Sequence, residues 1–149
     1  MSDPTIRTAR GEDLDQILEL YGDLHEDDSP LSRDRARVVW SQLEQNRCCN
    51  VLIAELDGRI VSSCVLVVVP NLCRGGRPFG LIENVVTRRD HRRRGIGRAI
   101  MRHALDVAWT LGCYKVMLLT SRPSAWAFYE SLGFVRGTKT GFVALRPPT

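Results

Sequence analysis

The chain has 149 residues, a hydrophobic fraction of 44% and a formal net charge of +4, which suits one domain over residues 1–149 with a single core and leaves no room for two. The longest apolar run, Val65 to Val69, is far too short to span a bilayer, and the opening MSDPTIRTARGEDLDQI lacks the hydrophobic stretch of a secretory signal, so neither a membrane nor an export route is expected. Cys48, Cys49, Cys64, Cys73 and Cys113 are odd in number and form no CxxC pair; that argues against a zinc site or a disulfide framework and suits a reducing cytoplasm.

TIRTA, residues 5 to 9, is short and partly alternating and reads as an opening strand. Leu14, Ile17, Leu18, Tyr21 and Leu24 then recur at helical spacing, with acids on the opposite face. Ser29-Pro30 breaks the pattern, and Ser32 can cap a second helix whose inward face is Ala36, Val39, Trp40 and Leu43. NVLIAELDGRIVSSCVLVVV places two β-branched runs around Asp57-Gly58, the pair favoured in a type I′ hairpin turn. NLCRGGRP is a loop, and FGLIENVVT, residues 79 to 87, is a third long strand. Ile96, Ile100, Ala104, Val107, Ala108 and Leu111 form the stripe of a helix that Gly112 ends. CYKVMLLT, residues 113 to 120, reads as a buried strand, and Pro123 can open a short helix that runs through Leu132 and closes at Gly133. FVRGTKTGFVAL reads as a closing strand pair, giving the order β-α-α-β-β-β-α-β-α-β-β and a mixed α/β sheet.

Charge is unevenly placed. Residues 11 to 28 hold eight acids and no lysine or arginine, whereas residues 88 to 102 hold seven arginines and one acid, Asp90. Such blocks suit either two ligands of opposite sign or two solvated faces. The basic block, RRDHRRRGIGRAI at residues 88 to 100, lies between a strand and the start of a helix. A helix N-terminus carries unpaired N–H groups and about half a positive charge, glycines let a phosphate approach the backbone, and arginine adds bidentate hydrogen bonds. The block is neither a P-loop nor a Rossmann fingerprint, since GxxxxGK[ST] spacing and a third glycine are both missing. A seat for a pyrophosphate, a structural tight turn and a nucleic-acid patch all remain open on these residues alone, although no aromatic residues are interleaved for base stacking. Glu83 stands out separately: an acid inside the apolar strand LIENVVT breaks the pattern, and alternation puts it on the face of Leu81 and Val85.

VVTRRDHRRRGIGRAI resembles the acetyl-CoA signature of GNAT-type N-acetyltransferases, [Q/R]-x-x-G-x-[G/A], carried here by Arg92, Gly95 and Gly97. AWAFYESLGF, with Phe128-Tyr129 followed by Gly133-Phe134, looks like that family's second landmark, and IRTARGEDLDQILELY is similar to its first strand and helix. The resemblance implies a mostly antiparallel mixed sheet flanked by helices, in which the strands 79–87 and 113–120 lie parallel and splay to admit a pantetheine arm. It implies acetyl-CoA as co-substrate, with the pyrophosphate on the amides of Arg92, Arg93, Arg94, Gly95, Ile96, Gly97 and Arg98. Val85, Val86 and Thr87 would pair with the pantetheine, and an amide near Val86 would donate to the thioester carbonyl. Tyr129 becomes the candidate general acid, Glu83 the candidate base or the group that orders a water acting as base, and Phe128 a cofactor contact. Relatives often carry asparagine before the Phe-Tyr helix, where Ser124 could substitute. They also often carry Gly and Pro where this chain has Arg93 and Arg89.

The expected activity is transfer of acetyl from acetyl-CoA to a primary amine of a small molecule by direct attack in a ternary complex. The alternatives are a non-catalytic acyl-CoA-binding regulatory domain, or an acetyltransferase acting on a protein N-terminus or an aminoacyl-tRNA. IENVVT and the segment from GCYK to LGF are similar to glucosamine-phosphate N-acetyltransferases, although Thr120 and Ala125 stand where those enzymes carry an acid and an asparagine. Aminoalkylphosphonate acetyltransferases are similar in layout. The acids Glu26, Asp27 and Asp28 stand in the loop that often borders the acceptor in this family and would suit a cationic amine. No metal and no nucleic-acid partner is expected, and homodimers are common in the family.

Overall fold

A computed structural model of the chain describes residues 3–148. It divides into two compact units, Met1–Leu118 and Leu119–Thr149. The first contains β1 (Thr5–Thr8), α1 (Leu14–Gly22), α2 (Arg33–Gln45), β2 (Cys49–Leu56), β3 (Arg59–Val69), β4 (Phe79–Thr87), α3 (Ile96–Thr110) and β5 (Val116–Met117). The strands form one sheet in the order β1-β2-β3-β4-β5, antiparallel throughout except for the parallel β4–β5 pair.

Local chemistry accounts for most boundaries. Asp57 and Gly58 sit at φ 51° and 76°, the two left-handed residues of a type I′ turn, whose twist matches the strands it joins. The Ser32 hydroxyl accepts from the Arg35 amide at 3.3 Å and caps α2. Gly112, at φ 81°, follows Leu111, the C-cap of α3, and stops the helix.

The sheet is covered on both faces. Ile17 and Leu20 of α1, Trp40 of α2, and Val51, Ile53, Ile60, Val65 and Val86 of the strands form one buried cluster. Leu52, Ala54, Leu66 and Ile82 alternate onto the other face. There α3, packed along β2, β3 and β4, buries Ile96, Ile100, Met101, Ala104 and Ala108. Each large aliphatic side chain so buried contributes about 1.5–3 kcal/mol relative to exposure.

Two features shape the region around β4. Its ladder to β3 pairs Val65 with Glu83 and Ser63 with Val86, so Asn84 and Val85 together oppose the single residue Cys64. This is a β-bulge, and Asn84 adopts φ 52° to make it. The second feature is the brevity of β5. It pairs only with Gly80 and Leu81, and among the described residues the rest of β4 has no strand partner on that edge. Gly80 permits the approach: a Cβ there would lie 3.1 Å from Val116 and 3.3 Å from Leu66.

The structure corrects several sequence expectations. The strand expected over 113–120 is the two-residue β5, because the parallel strands separate after one short contact. Leu111, expected on the stripe of α3, is exposed, because regular helix stops at Thr110. Leu20 and Met101 are fully buried beside the residues read from periodicity, since a helix packed on a sheet buries neighbours at both i+3 and i+4.

In the second unit, the helix expected from Pro123 to Leu132 is a 3₁₀ turn, Pro123–Ala125, running into α4, Trp126–Glu130. The closing strand pair is not formed among the described residues. Residues 134–148 are turns and irregular chain, with Val135, Phe142, Val143 and Leu145 exposed. A strand exists only as half of a ladder, and this segment completes none there.

Candidate functional site

The turn between β4 and α3 is built by backbone conformation more than by side chains. Arg93 and Gly95 adopt φ 60° and 80°, both left-handed, directly before Ile96 starts α3. The first hydrogen bond of that helix runs from the Ala99 amide to the Gly95 carbonyl at 2.9 Å. The amides of Ile96 and Gly97 therefore have no carbonyl within the helix and lie at the positive end of its dipole. A Cβ at Gly95 would meet nothing within 4 Å, so the backbone is open to an approaching group on that side. A diphosphate fits this donor set, and Arg93 and Arg94 are exposed beside it.

Other arginines of the same block hold the turn in place. Arg88 is 5% exposed; its Nε donates to the Ile60 carbonyl at 2.8 Å and its Nη1 to Glu19 at 2.9 Å. This bond keeps the Glu19 carboxyl below the usual carboxylate range. Arg89 pairs with Glu26, and Arg92 Nε donates to the Thr87 carbonyl at 3.0 Å. His91 Nδ1 lies 2.7 Å from Asp90, whose carboxyl that contact holds down. Arg88, Arg89 and Arg92 thus bind the protein itself, which removes much of the case for a flat nucleic-acid patch.

The acid cluster changes meaning accordingly. Glu26 is engaged by Arg89, while Asp27 and Asp28 are exposed in the loop after α1. The two charge blocks of the sequence meet in the fold.

Val85, Val86 and Thr87 lie on the part of β4 that β5 has left. Ser62 Oγ donates to the Val86 carbonyl at 2.7 Å and lies 2.9 Å from Thr87 Oγ1, steadying this stretch from β3. Glu83 is exposed and opposite Val65 in register, so it faces the α1–α2 side of the sheet. Alternation correctly groups Glu83 with Leu81. Beyond the bulge, however, the residue on its face is Val86, not Val85, because one extra residue reverses the period.

Ser124, Phe128 and Tyr129 belong to the second unit. Ser124 is an exposed residue of the 3₁₀ turn. Phe128 and Tyr129 pack edge to face with centroids 5.1 Å apart, and Tyr129 meets Phe134 in the same way at 6.1 Å. The ring of Tyr129 is therefore fixed by its own unit.

Two features were not singled out in the sequence. Asn84 was a visible anomaly, an amide residue in an apolar strand and a type that tolerates left-handed φ. The loop 71–78 was read only as a connection. Arg74 and Arg77 each lie 5.8 Å from the Tyr114 ring centre, and Lys115 lies 5.4 Å from the same ring and from that of Phe79. Among the described residues these three cations form no ion pair with a carboxylate.

Comparison with known proteins gives a consistent picture. The family model described as acetyltransferase (GNAT) family matches residues 14–134. The glucosamine 6-phosphate N-acetyltransferase of Trypanosoma brucei brucei is 35% identical over 132 residues, covering 89% of each chain. Among solved structures, an Agrobacterium tumefaciens protein described as a putative acetyltransferase superposes with a TM-score of 0.92 at 42% identity, over 95% of this chain and 99% of that one. An acetyltransferase of Trypanosoma brucei gives a TM-score of 0.83 at 32% identity, over 96% and 100%.

Proposed function

The chain belongs to the acetyltransferase (GNAT) family, and we propose that it transfers the acetyl group of acetyl-CoA to a primary amine of a small molecule by direct attack in a ternary complex. The observation that carries this reading is the left-handed turn at Arg93 and Gly95, set between the end of β4 that β5 does not reach and the N-terminus of α3. On this reading the amides from Arg92 to Arg98 hold the pyrophosphate, and the free edge at Val85, Val86 and Thr87 pairs with the pantetheine as an added strand would. An amide near Val86 polarises the thioester carbonyl, a donor of a kind whose loss costs about 3 kcal/mol.

Glu83 then takes a proton from the acceptor ammonium, directly or through water, and frees the lone pair that attacks. The C–N bond forms, the C–S bond breaks, the Tyr129 phenol gives its proton to the departing sulfur, and the phenolate takes the second proton that the new amide nitrogen sheds, directly or through water. We read the whole chain as one acetyltransferase domain of a reducing, cytoplasmic compartment, in keeping with its free cysteines. Nothing in this scheme calls for a metal. The scheme also extends to a homodimer.

A phosphorylated amino sugar is the acceptor favoured by a specific observation. Arg74, Arg77 and Lys115 converge on Tyr114 at the start of β4 without a carboxylate partner among the described residues. The similar trypanosomal protein carries the name glucosamine 6-phosphate N-acetyltransferase. Asp27 and Asp28 favour a cationic amine instead, although Glu26, the third acid there, is paired with Arg89.

The test is a calorimetric titration with acetyl-CoA, followed by thiol release with glucosamine 6-phosphate, polyamines, aminoglycosides and peptide amines. Micromolar binding with turnover on one amine supports the enzyme. Binding without turnover on any of them supports an acyl-CoA-binding regulatory domain, and binding of an RNA or DNA duplex without acetyl-CoA would overturn the cradle. With an acceptor in hand, Glu83→Gln is expected to lose the acidic limb of the pH–rate profile; retention of that limb removes Glu83 as base.

A further inference from the structure

Glu83 shares its face of the sheet with a group of cations at the start of β4. From Phe79 to Glu83 the strand opposes Val69 to Val65 of β3 residue by residue, with no irregularity. Phe79 and Leu81 therefore lie on the α1–α2 face with Glu83. The parallel register pairs Gly80 with Val116, so Lys115, one residue earlier, lies beside Phe79 on that same face. Its Nζ stands 5.4 Å from the Phe79 ring centre, as that placement requires.

The loop before β4 is built to present two arginines there. Asn71 Nδ2 donates to the Cys73 carbonyl at 3.1 Å and to the Arg77 carbonyl at 3.2 Å, and Arg77 Nε donates to the Arg74 carbonyl at 3.1 Å. Arg74, Gly75 and Gly76 are left-handed in succession, at φ 56°, 70° and 77°. Glycine takes that conformation readily, an arginine only where its surroundings hold it. Arg74 and Arg77 both come to 5.8 Å from the Tyr114 ring centre, and Lys115 to 5.4 Å. The ring attracts each cation, but the three repel one another, and among the described residues no carboxylate pairs with them.

An anion completes such a group. A phosphate monoester carries a charge of about −1.5 to −2 at pH 7 and several acceptor oxygens, which suit an ammonium and two guanidiniums. Four residues of strand separate Phe79 from Glu83, about 13 Å at the usual rise. The Lys115 and Glu83 side chains take up part of that length. What remains suits a sugar ring between phosphate and amine, and a two-carbon linker is too short for it.

We propose, on the acetyltransferase reading, that Lys115, Arg77 and Arg74 seat the phosphate of the acceptor and, with Glu83 on the same face, fix its distance from the amine. They are specificity-determining residues that select a phosphorylated amine of sugar size. The diphosphate cradle lies beyond the other end of β4 and is untouched by them.

The experiment pairs calorimetry on the CoA-loaded protein with thiol release from acetyl-CoA, using glucosamine 6-phosphate, glucosamine and 2-aminoethylphosphonate. Glucosamine 6-phosphate is expected to bind about tenfold or more tightly than either of the others. In Lys115→Met and in Arg77→Gln its KM should rise about tenfold with kcat within about twofold, and its advantage over glucosamine should shrink by the same factor. Acetyl-CoA affinity within about twofold of the unaltered protein shows that both variants are folded. No binding of glucosamine 6-phosphate, an advantage that survives in both variants, or 2-aminoethylphosphonate bound as tightly overturns the proposal. Turnover of glucosamine and its 6-phosphate at equal kcat/KM overturns the seat and leaves the acetyltransferase reading standing. If glucosamine 6-phosphate binds through Lys115 but no amine is acetylated, the seat stands and the reading of the chain as an enzyme fails.

Discussion

Replacing Gly95 with alanine separates what the turn does for folding from what it does for binding. Gly95 lies at φ 80° and ψ −6°, and an L-residue pays about 1–2 kcal/mol for left-handed backbone. Alanine also restricts the unfolded chain, returning about 0.4–1 kcal/mol. No neighbour lies within 4 Å of the new methyl, so no clash adds to the cost. The net loss is about 1 kcal/mol, or about 2–4 °C in Tm for a chain of this length. Binding should suffer far more, because the open space the methyl enters is the approach to the amides of Ile96 and Gly97. Pushing a phosphate off two charge-assisted hydrogen bonds, each contributing about 1.5–3 kcal/mol, raises Kd by well over tenfold. Gly58 is the control: it sits at φ 76° with equally open surroundings, but in the β2–β3 turn. Thermal unfolding and acetyl-CoA calorimetry on both variants decide the matter. Similar Tm losses with a weakened Kd only in Gly95→Ala are expected. Equal Kd values in the two variants would show that the diphosphate does not sit on this turn.

Tyr129→Phe keeps the ring that packs on Phe128 and Phe134, so stability should change by less than about 1 kcal/mol while kcat falls about a hundredfold and acetyl-CoA affinity holds; unchanged turnover would remove the phenol from the mechanism. The buried Asp13 carboxylate accepts from Arg7 at 2.7 and 2.9 Å, chiefly through which its folded pKa is lowered. The resulting stability is complete above the unfolded value of about 3.9 and fades as pH falls through that value towards the folded one, so Tm should drop below about pH 4. In Arg7→Met that acid dependence should flatten and about 2–3 kcal/mol be lost at neutral pH, since a buried carboxylate loses its partner; urea unfolding at pH 7 and pH 4 measures both. Burial pushes the Cys64 thiol up to about 12, so at pH 8 a thiol reagent should modify exposed Cys73 promptly and spare Cys64 until the chain unfolds, as peptide mapping would show.

What could be read in the sequence was whatever local chemistry decides. The Asp57-Gly58 hairpin, the Ser32 cap, the exact span of β4 and the glycine stop at Gly112 each depend on a few neighbouring residues, and each stands in the fold. What could not be read depends on partners remote in sequence. Residues 113–120 and 134–145 have strand-like composition, yet ladder pairing decides whether a strand forms, and here only Val116 and Met117 find it. The bulge is intermediate. Asn84 showed that something breaks the strand, but only the register against Cys64 shows that the break turns Val86 onto the face of Glu83.

The basic block illustrates why composition could not assign its own role. Five arginines crowd residues 88 to 94, and from the sequence they look alike. Burial and partners tell them apart. Arg88 is buried against the Ile60 carbonyl and reaches Glu19, Arg89 reaches Glu26, and Arg92 ties the turn back to Thr87. Two of the eight acids that seemed a second, separate surface, Glu19 and Glu26, are the counter-ions of the first two, so α1 and its following loop are fastened to the β4–α3 turn by charge. Arg93 and Arg94 remain exposed at the mouth of an amide-lined turn, and neither forms an ion pair among the described residues. A ligand there meets backbone donors whose geometry is fixed from behind. On the proposed reading this is the order of construction a diphosphate seat requires: oppositely charged side chains hold the turn, and the amides they hold are left to do the binding.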